Sequence, residues 1–167
     1  MTAMQSPAPA GFLGAVSNFT NTLFSWAPQS LTMLALRFAL AVPFWYSGLT
    51  KWDGFLNLSF GAQQLFANDF KLHILGAEYP YPMPELFATL SGLGEVGFPV
   101  LLVLGIGTRY AALALLGMTA IIQLTVPDGW ANFHLPWAAM ALAIMTFGPD
   151  KISLDYVLGL DRPARRN

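Results

Sequence analysis

The stretch SGLGEVGFPVLLVLG, Ser91 to Gly105, carries a single carboxylate, Glu95, in an otherwise uncharged apolar run. An isolated charge in an apolar medium costs a few kcal/mol or more, so Glu95 calls for a partner. The first apolar segment, LTMLALRFALAVPFWYSGL, supplies one candidate in Arg37. A guanidinium can clasp a carboxylate through two parallel hydrogen bonds. Such a pair is either a structural clasp that fixes which helices face each other or an ionisable functional site, and both readings stay open. Tyr46, Gln123 and His134 are further polar groups in apolar surroundings. His134, in NFHLPWAAM, is either a packing histidine, a transient metal ligand with Glu95, or a donor to a quinone carbonyl. The chain has no cysteine, and His73 is the other histidine, so a closed protein metal site is not expected. No catalytic residue is assigned. The glycines of GLGEVG lie inside a hydrophobic helix, where they serve close packing rather than phosphate binding.

The elements that must position these groups follow from composition. Charged residues make up 10% of the 167 and hydrophobic residues 55%, against roughly a quarter charged in a soluble domain. Tyr110 to Pro127 and Gly129 to Pro149 carry no charge, and each is about long enough to cross a bilayer as a helix. Four spans are expected, at about 31–49, 86–106, 110–126 and 130–147, all helical because an open strand would leave backbone groups unpaired in lipid. Pro43, Pro99 and Pro136 predict kinks. Before the first span, Phe12, Val16, Phe19, Leu23 and Phe24 recur at helical spacing, as an interfacial helix or a helix packed on the bundle would have them. Residues 50–84 form a structured outward cap, with a second amphipathic helix over Phe55 to Phe66, an extended FKLHIL and a polyproline-like YPYPMP.

The expected fold is therefore all-α: one integral membrane domain over 1–167, a four-helix bundle with a disordered arm at 1–10, the outward cap and an inner tail at 148–167. No removable signal peptide is expected. Arg109, Lys151, Arg162, Arg165 and Arg166 fall on one side and Lys51 and Lys71 on the other, which favours both termini inside. A net charge of −1 argues against a nucleic-acid surface. At about 1.5 Å per residue, Glu95 lies roughly 15 Å below Glu85, and Arg37 roughly 21 Å below Lys51, a gap of about one arginine side chain. Arg37 is thus expected to meet Glu95, with Tyr46, Gln123 and His134 approaching from above to line one polar cavity. Trp45, Trp52, Trp130 and Trp137 read as an interfacial belt.

ALRFALAVPFWYSGLTKW, PMPELFATLSGLGEVGFPVLLVLGIGTRYAAL and HLPWAAMALAIMTFGPDKISLD, in that order, resemble the signatures of the DoxX family of small four-helix membrane proteins. By resemblance the family's first-helix arginine falls on Arg37, its G-x-x-K on Gly48 and Lys51, its second-helix glutamate on Glu95 and its T-R turn on Thr108 and Arg109. The resemblance implies a bacterial inner-membrane protein tied to thiosulfate, quinone, thiol or metal stress. The ending HLPWA to GPDKISLD is similar to a branch accompanying copper-binding peptides and their maturation proteins. Absence of cysteine departs from members that relay thiol electrons themselves. The leading expectation is an accessory subunit, not an autonomous enzyme, that recruits a redox enzyme or metal-peptide maturation protein. The alternative is a quinone-binding subunit of an oxidoreductase. Oligomeric state is left open.

Overall fold

The computed structural model describes residues 11–24 and 28–161. The arm expected at 1–10 and the basic end of the tail, 162–167, lie outside the described residues. Helix α1, Phe12–Phe24, leaves Phe12 and Phe19 exposed. Helices α2, Gln29–Leu49, and α4, Pro84–Leu104, are long and apolar enough to cross a membrane; among the described residues no other helix meets that test. Two of the four expected spans thus qualify on length and composition. Helix α5, Thr108–Thr125, is shorter and carries Arg109 in its first turn, and the fourth segment is broken. It begins with a wide π turn, Trp130–His134, before the regular helix α6, Leu135–Phe147. Pro136 stands at that junction, where its missing N–H is tolerated.

Helix α2 packs on α4, α4 on α5, α5 on α6 and α6 on α2. Leu40, Leu102, Leu115 and Ile144, one from each helix, share the buried core. Close approach of α2 to α4 depends on glycine. A Cβ on Gly48 would stand 2.9 Å from Glu95 backbone, and one on Gly92 would stand 2.6 Å from the Trp52 ring. The opposite faces stay apolar and exposed, as Val42, Leu93, Leu113 and Leu142 illustrate.

The cap corrects the all-α expectation. Asp53 to Leu58 is a loop instead of a helix, closed by a bridge between Trp52 and Leu58 and turned by positive φ at Gly54 and Leu56. Helix α3, Phe60–Gln64, starts where the Ser59 hydroxyl accepts from Ala62 N–H, and runs into a π turn, Leu65–Asp69. Strands β1, Lys71–Ile74, and β2, Ala77–Pro80, then pair as an antiparallel hairpin. The expected extended FKLHIL is β1, whereas the expected polyproline-like entry begins as β2. Leu75 and Gly76 take positive φ at the tip, the pattern of a two-residue hairpin turn. Beyond α4, Gly105 at φ 74° closes the helix, with Ile106 N–H donating to Leu101 O at 3.0 Å. A final short turn, α7, Leu154–Val157, folds back under this end.

Candidate functional site

Glu95 is 3% exposed. Its partner is Lys51, whose Nζ lies 2.5 Å from Glu95 Oε2. Each charge is braced by a serine one helical turn earlier: Ser91 Oγ donates to Glu95 Oε1 at 2.9 Å, and Lys51 Nζ donates to Ser47 Oγ at 3.2 Å. The repeated spacing, Ser47 to Lys51 and Ser91 to Glu95, was visible in the sequence and is the signal that could have found the serines. Lys51 comes just past the end of α2, and its stem runs back along the helix to place the ammonium at the depth of Glu95.

Arg37 does not meet Glu95. Its Nε donates to Leu102 O at 2.8 Å, Nη1 to Ile152 O at 2.5 Å and Pro149 O at 3.3 Å, and Nη2 to Val103 O. The expected clasp failed on direction. In a helix the Cα–Cβ bond tilts toward the N-terminus, so a side chain leaving α2 heads for the end where α2 begins, away from Glu95. There the last carbonyls of α4 have no helical partner, and a cation satisfies them. Gln123 and His134 form a separate lock, in which His134 Nδ1 donates to Gln123 Oε1 at 2.6 Å and Gln123 Nε2 donates to Pro127 O at 3.1 Å. The imidazole lies against Gly129, where a Cβ would sit 2.5 Å from the ring. His134→Ala is expected to cost about 1–3 kcal/mol by removing the buried imidazole's packing and its hydrogen bond to the half-buried Gln123 amide. A thermal-shift comparison checks this, with ligand content unchanged. Tyr46 is 68% exposed on the outer face of α2.

A cavity of about 440 Å³ opens beside the ion pair. Phe44, Phe98, Ile122 and Trp137 form apolar walls, while Ser47, Lys51, Ser91 and Glu95 gather at one side. Phe66, Phe70 and Tyr81 roof it from the cap, with ring centroids 5.2 Å apart in edge contacts. Tyr81 Oη and Thr125 Oγ1, 2.6 Å apart, join the roof to α5, and His73 Nδ1 donates to Leu124 O at 3.0 Å. Of the five expected cavity residues, Arg37, Tyr46, Gln123 and His134 do not line this space, and Glu95 does. Trp137 belongs to the cavity wall, 5.1 Å from Phe44 between ring centroids, rather than to an outer belt. The arrangement suits a largely apolar molecule with a small polar end.

At the opposite end of the bundle, Asp155 accepts from Gly107 N–H and Thr108 N–H at 2.8 Å each and from Thr108 Oγ1 at 2.7 Å. A carboxylate from α7 thereby caps the start of α5. Arg109 Nε lies 2.5 Å from Asp161 Oδ2, and its Nη1 donates to Met145 O and Thr146 O at the end of α6.

The DoxX family profile matches residues 32–128, more than half of the chain. The chain belongs to the DoxX family. The matched region takes in α2, the cap, α4 and α5, hence Arg37, Gly48, Lys51, Glu95 and Arg109. The DoxX chain is also 29% identical over 142 residues to an uncharacterized protein of Haemophilus influenzae, covering 78% of this chain and 85% of that one. No solved structure matches it. DoxX proteins are membrane-associated, and membership suggests a membrane accessory or an oxidoreductase-associated subunit.

Proposed function

We propose that this DoxX protein is a four-helix, multi-pass accessory subunit of a redox system in the bacterial inner membrane, and that it holds a quinone in the cavity beside Lys51 and Glu95. The observation that carries the reading is the cavity itself: an apolar enclosure large enough for a ring and part of a tail, with its polar groups confined to one side. Exposed aliphatic residues on the outer faces of α2, α4, α5 and α6 support their contact with lipid. Arg109 and Lys151 at one end, with Lys51 and Lys71 at the other, support cytoplasmic termini once the basic tail is added.

A quinone, when bound, supplies a two-electron, two-proton carrier. The chain's own part is to seat and orient it. The Ser47 hydroxyl accepts from Lys51 and keeps its own O–H for a carbonyl, Lys51 sets a positive field at the head, and Glu95 is the group able to take or give a proton. A second reading, recruitment of a redox enzyme or a copper-peptide maturation protein through the cap, is supported by the exposure of Phe55, Leu56, Phe60 and Leu75. Native mass spectrometry on protein purified with its own lipids separates the two. The expected result is one quinone per chain in the wild type and none in Ile122→Trp, which fills the cavity. A wild type without quinone that carries a protein partner would favour recruitment.

A further inference from the structure

The side on which the cavity opens bears on what it can receive. Along α4, Leu86, Leu90, Leu93, Val100 and Leu104 form an exposed stripe at helical spacing, and along α5 Tyr110, Leu113, Ile121 and Leu124 do the same. Leu90, 55% exposed, and Ile121, 47% exposed, belong both to these outward stripes and to the cavity lining. Helix α2 behaves differently. Its outward apolar residues Phe38, Val42, Tyr46 and Leu49 contribute nothing to the lining, to which α2 gives Pro43, Phe44 and the exposed, polar Ser47, with Lys51 following just past its end. The large apolar residues that are both exposed and cavity-lining thus stand on α4 and at the end of α5, along their shared seam.

That seam is narrow but soft. A Cβ on Gly94 would stand 3.0 Å from Met118 Sδ and 3.3 Å from the edge of the Phe98 ring. The glycine thus leaves room that the unbranched, easily rearranged Met118 side chain partly fills. Toward the cap, by contrast, the aromatic roof and the Tyr81–Thr125 hydrogen bond stand between the cavity and water.

We propose that the cavity is loaded from the hydrocarbon of the bilayer through a lateral portal between α4 and α5, flanked by Leu90, Gly94, Met118 and Ile121. Its ligand is then a lipid-soluble amphiphile, whose small hydrogen-bonding head meets Lys51 and Glu95 while its apolar chain trails out through the seam. This rests on the reading above that the helices span the membrane and that the cavity is a ligand site.

The cysteine-free chain makes the route testable without knowing the ligand. Ile122→Cys places a thiol in the cavity wall of protein reconstituted in phosphatidylcholine vesicles. Pyrene maleimide, which partitions into lipid, is expected to label it several times faster than a charged, membrane-impermeant maleimide. Adding Leu90→Trp and Ile121→Trp, both at exposed positions, should slow the lipid-soluble reagent severalfold, whereas Phe70→Ala in the roof should not speed the charged one. Thermal-shift and gel-filtration controls on each variant confirm that it is folded. Equal rates for the two reagents, no labelling by either, or indifference to both tryptophans would overturn the portal. Bound quinone in the wild type combined with aqueous labelling would leave the functional reading standing and remove only the portal. Portal behaviour with no bound quinone would do the reverse.

Discussion

Lys51→Met should be the most damaging single change in the outer half of the protein, costing about 3–5 kcal/mol, because it leaves a buried carboxylate without its counter-ion. The α4 backbone holds Glu95 against Gly48, with only 4% of its side chain accessible. The reverse truncation is expected to cost less. Lys51 sits past the end of α2 with 12% of its side chain accessible, against 4% for Glu95. With Glu95→Gln, the lysine can swing toward the polar side, and the amide oxygen still accepts from Ser91. The double variant should lose clearly less than the two single losses added, since its remaining groups strand no charge. Thermal unfolding of all four proteins in one detergent gives the comparison. Additive losses would mean that the two side chains are not coupled.

Asp155→Ala should be comparably severe at the other end, at about 2–4 kcal/mol. It removes the acceptor for three donors, the N–H groups of Gly107 and Thr108 and the Thr108 hydroxyl, in a place where Thr108 is fully buried. The consequence extends beyond one cap. Asp155 N–H donates to Gly105 O at 2.7 Å, and Arg37 holds Pro149 and Ile152 from above, so the segment after α6 is pinned under the α4–α5 turn at several points. Release of that segment would expose the Arg37 guanidinium and the last carbonyls of α4 together. Limited proteolysis within residues 148–161 should therefore become rapid in Asp155→Ala and stay slow in the wild type. Unchanged proteolysis would show that the segment is held by its apolar contacts alone.

The long helices were legible in the sequence because charge is absent from whole turns of helix, and the ends of α2 and α4 fall close to the expected limits. The cap was only partly legible. The β-propensity of FKLHIL marked an extended segment, but nothing local announced that Ala77–Pro80 would pair with it, since the turn residue is Leu75 where Asn would normally signal a hairpin. The wide turn at Trp130–His134 left no sequence mark beyond Pro136.

The site was legible in its acid and obscure in its base. Rise per residue fixes the depth of a Cα, and depth alone made Arg37 and Glu95 look compatible. Side-chain direction decides between partners at similar reach, and it sends Arg37 one way and brings Lys51 from the other. Lys51 was already marked by the family resemblance, together with Gly48, whose missing Cβ lets α2 lie against Glu95. Gln123 and His134 converge on each other, as polar groups at the facing ends of consecutive helices often do, and that local solution takes both out of the cavity.

The proposed quinone would occupy the space walled by Trp137. Quinones quench indole fluorescence at short range, so a short-tailed benzoquinone titrated into detergent-solubilised protein reads the site directly. The expected result is a saturable component of quenching that disappears in Trp137→Phe and persists in Trp130→Phe, whose ring is half exposed and outside the cavity lining. Quenching that rises without saturation, or a saturable component untouched by Trp137→Phe, would rule out a quinone at this wall.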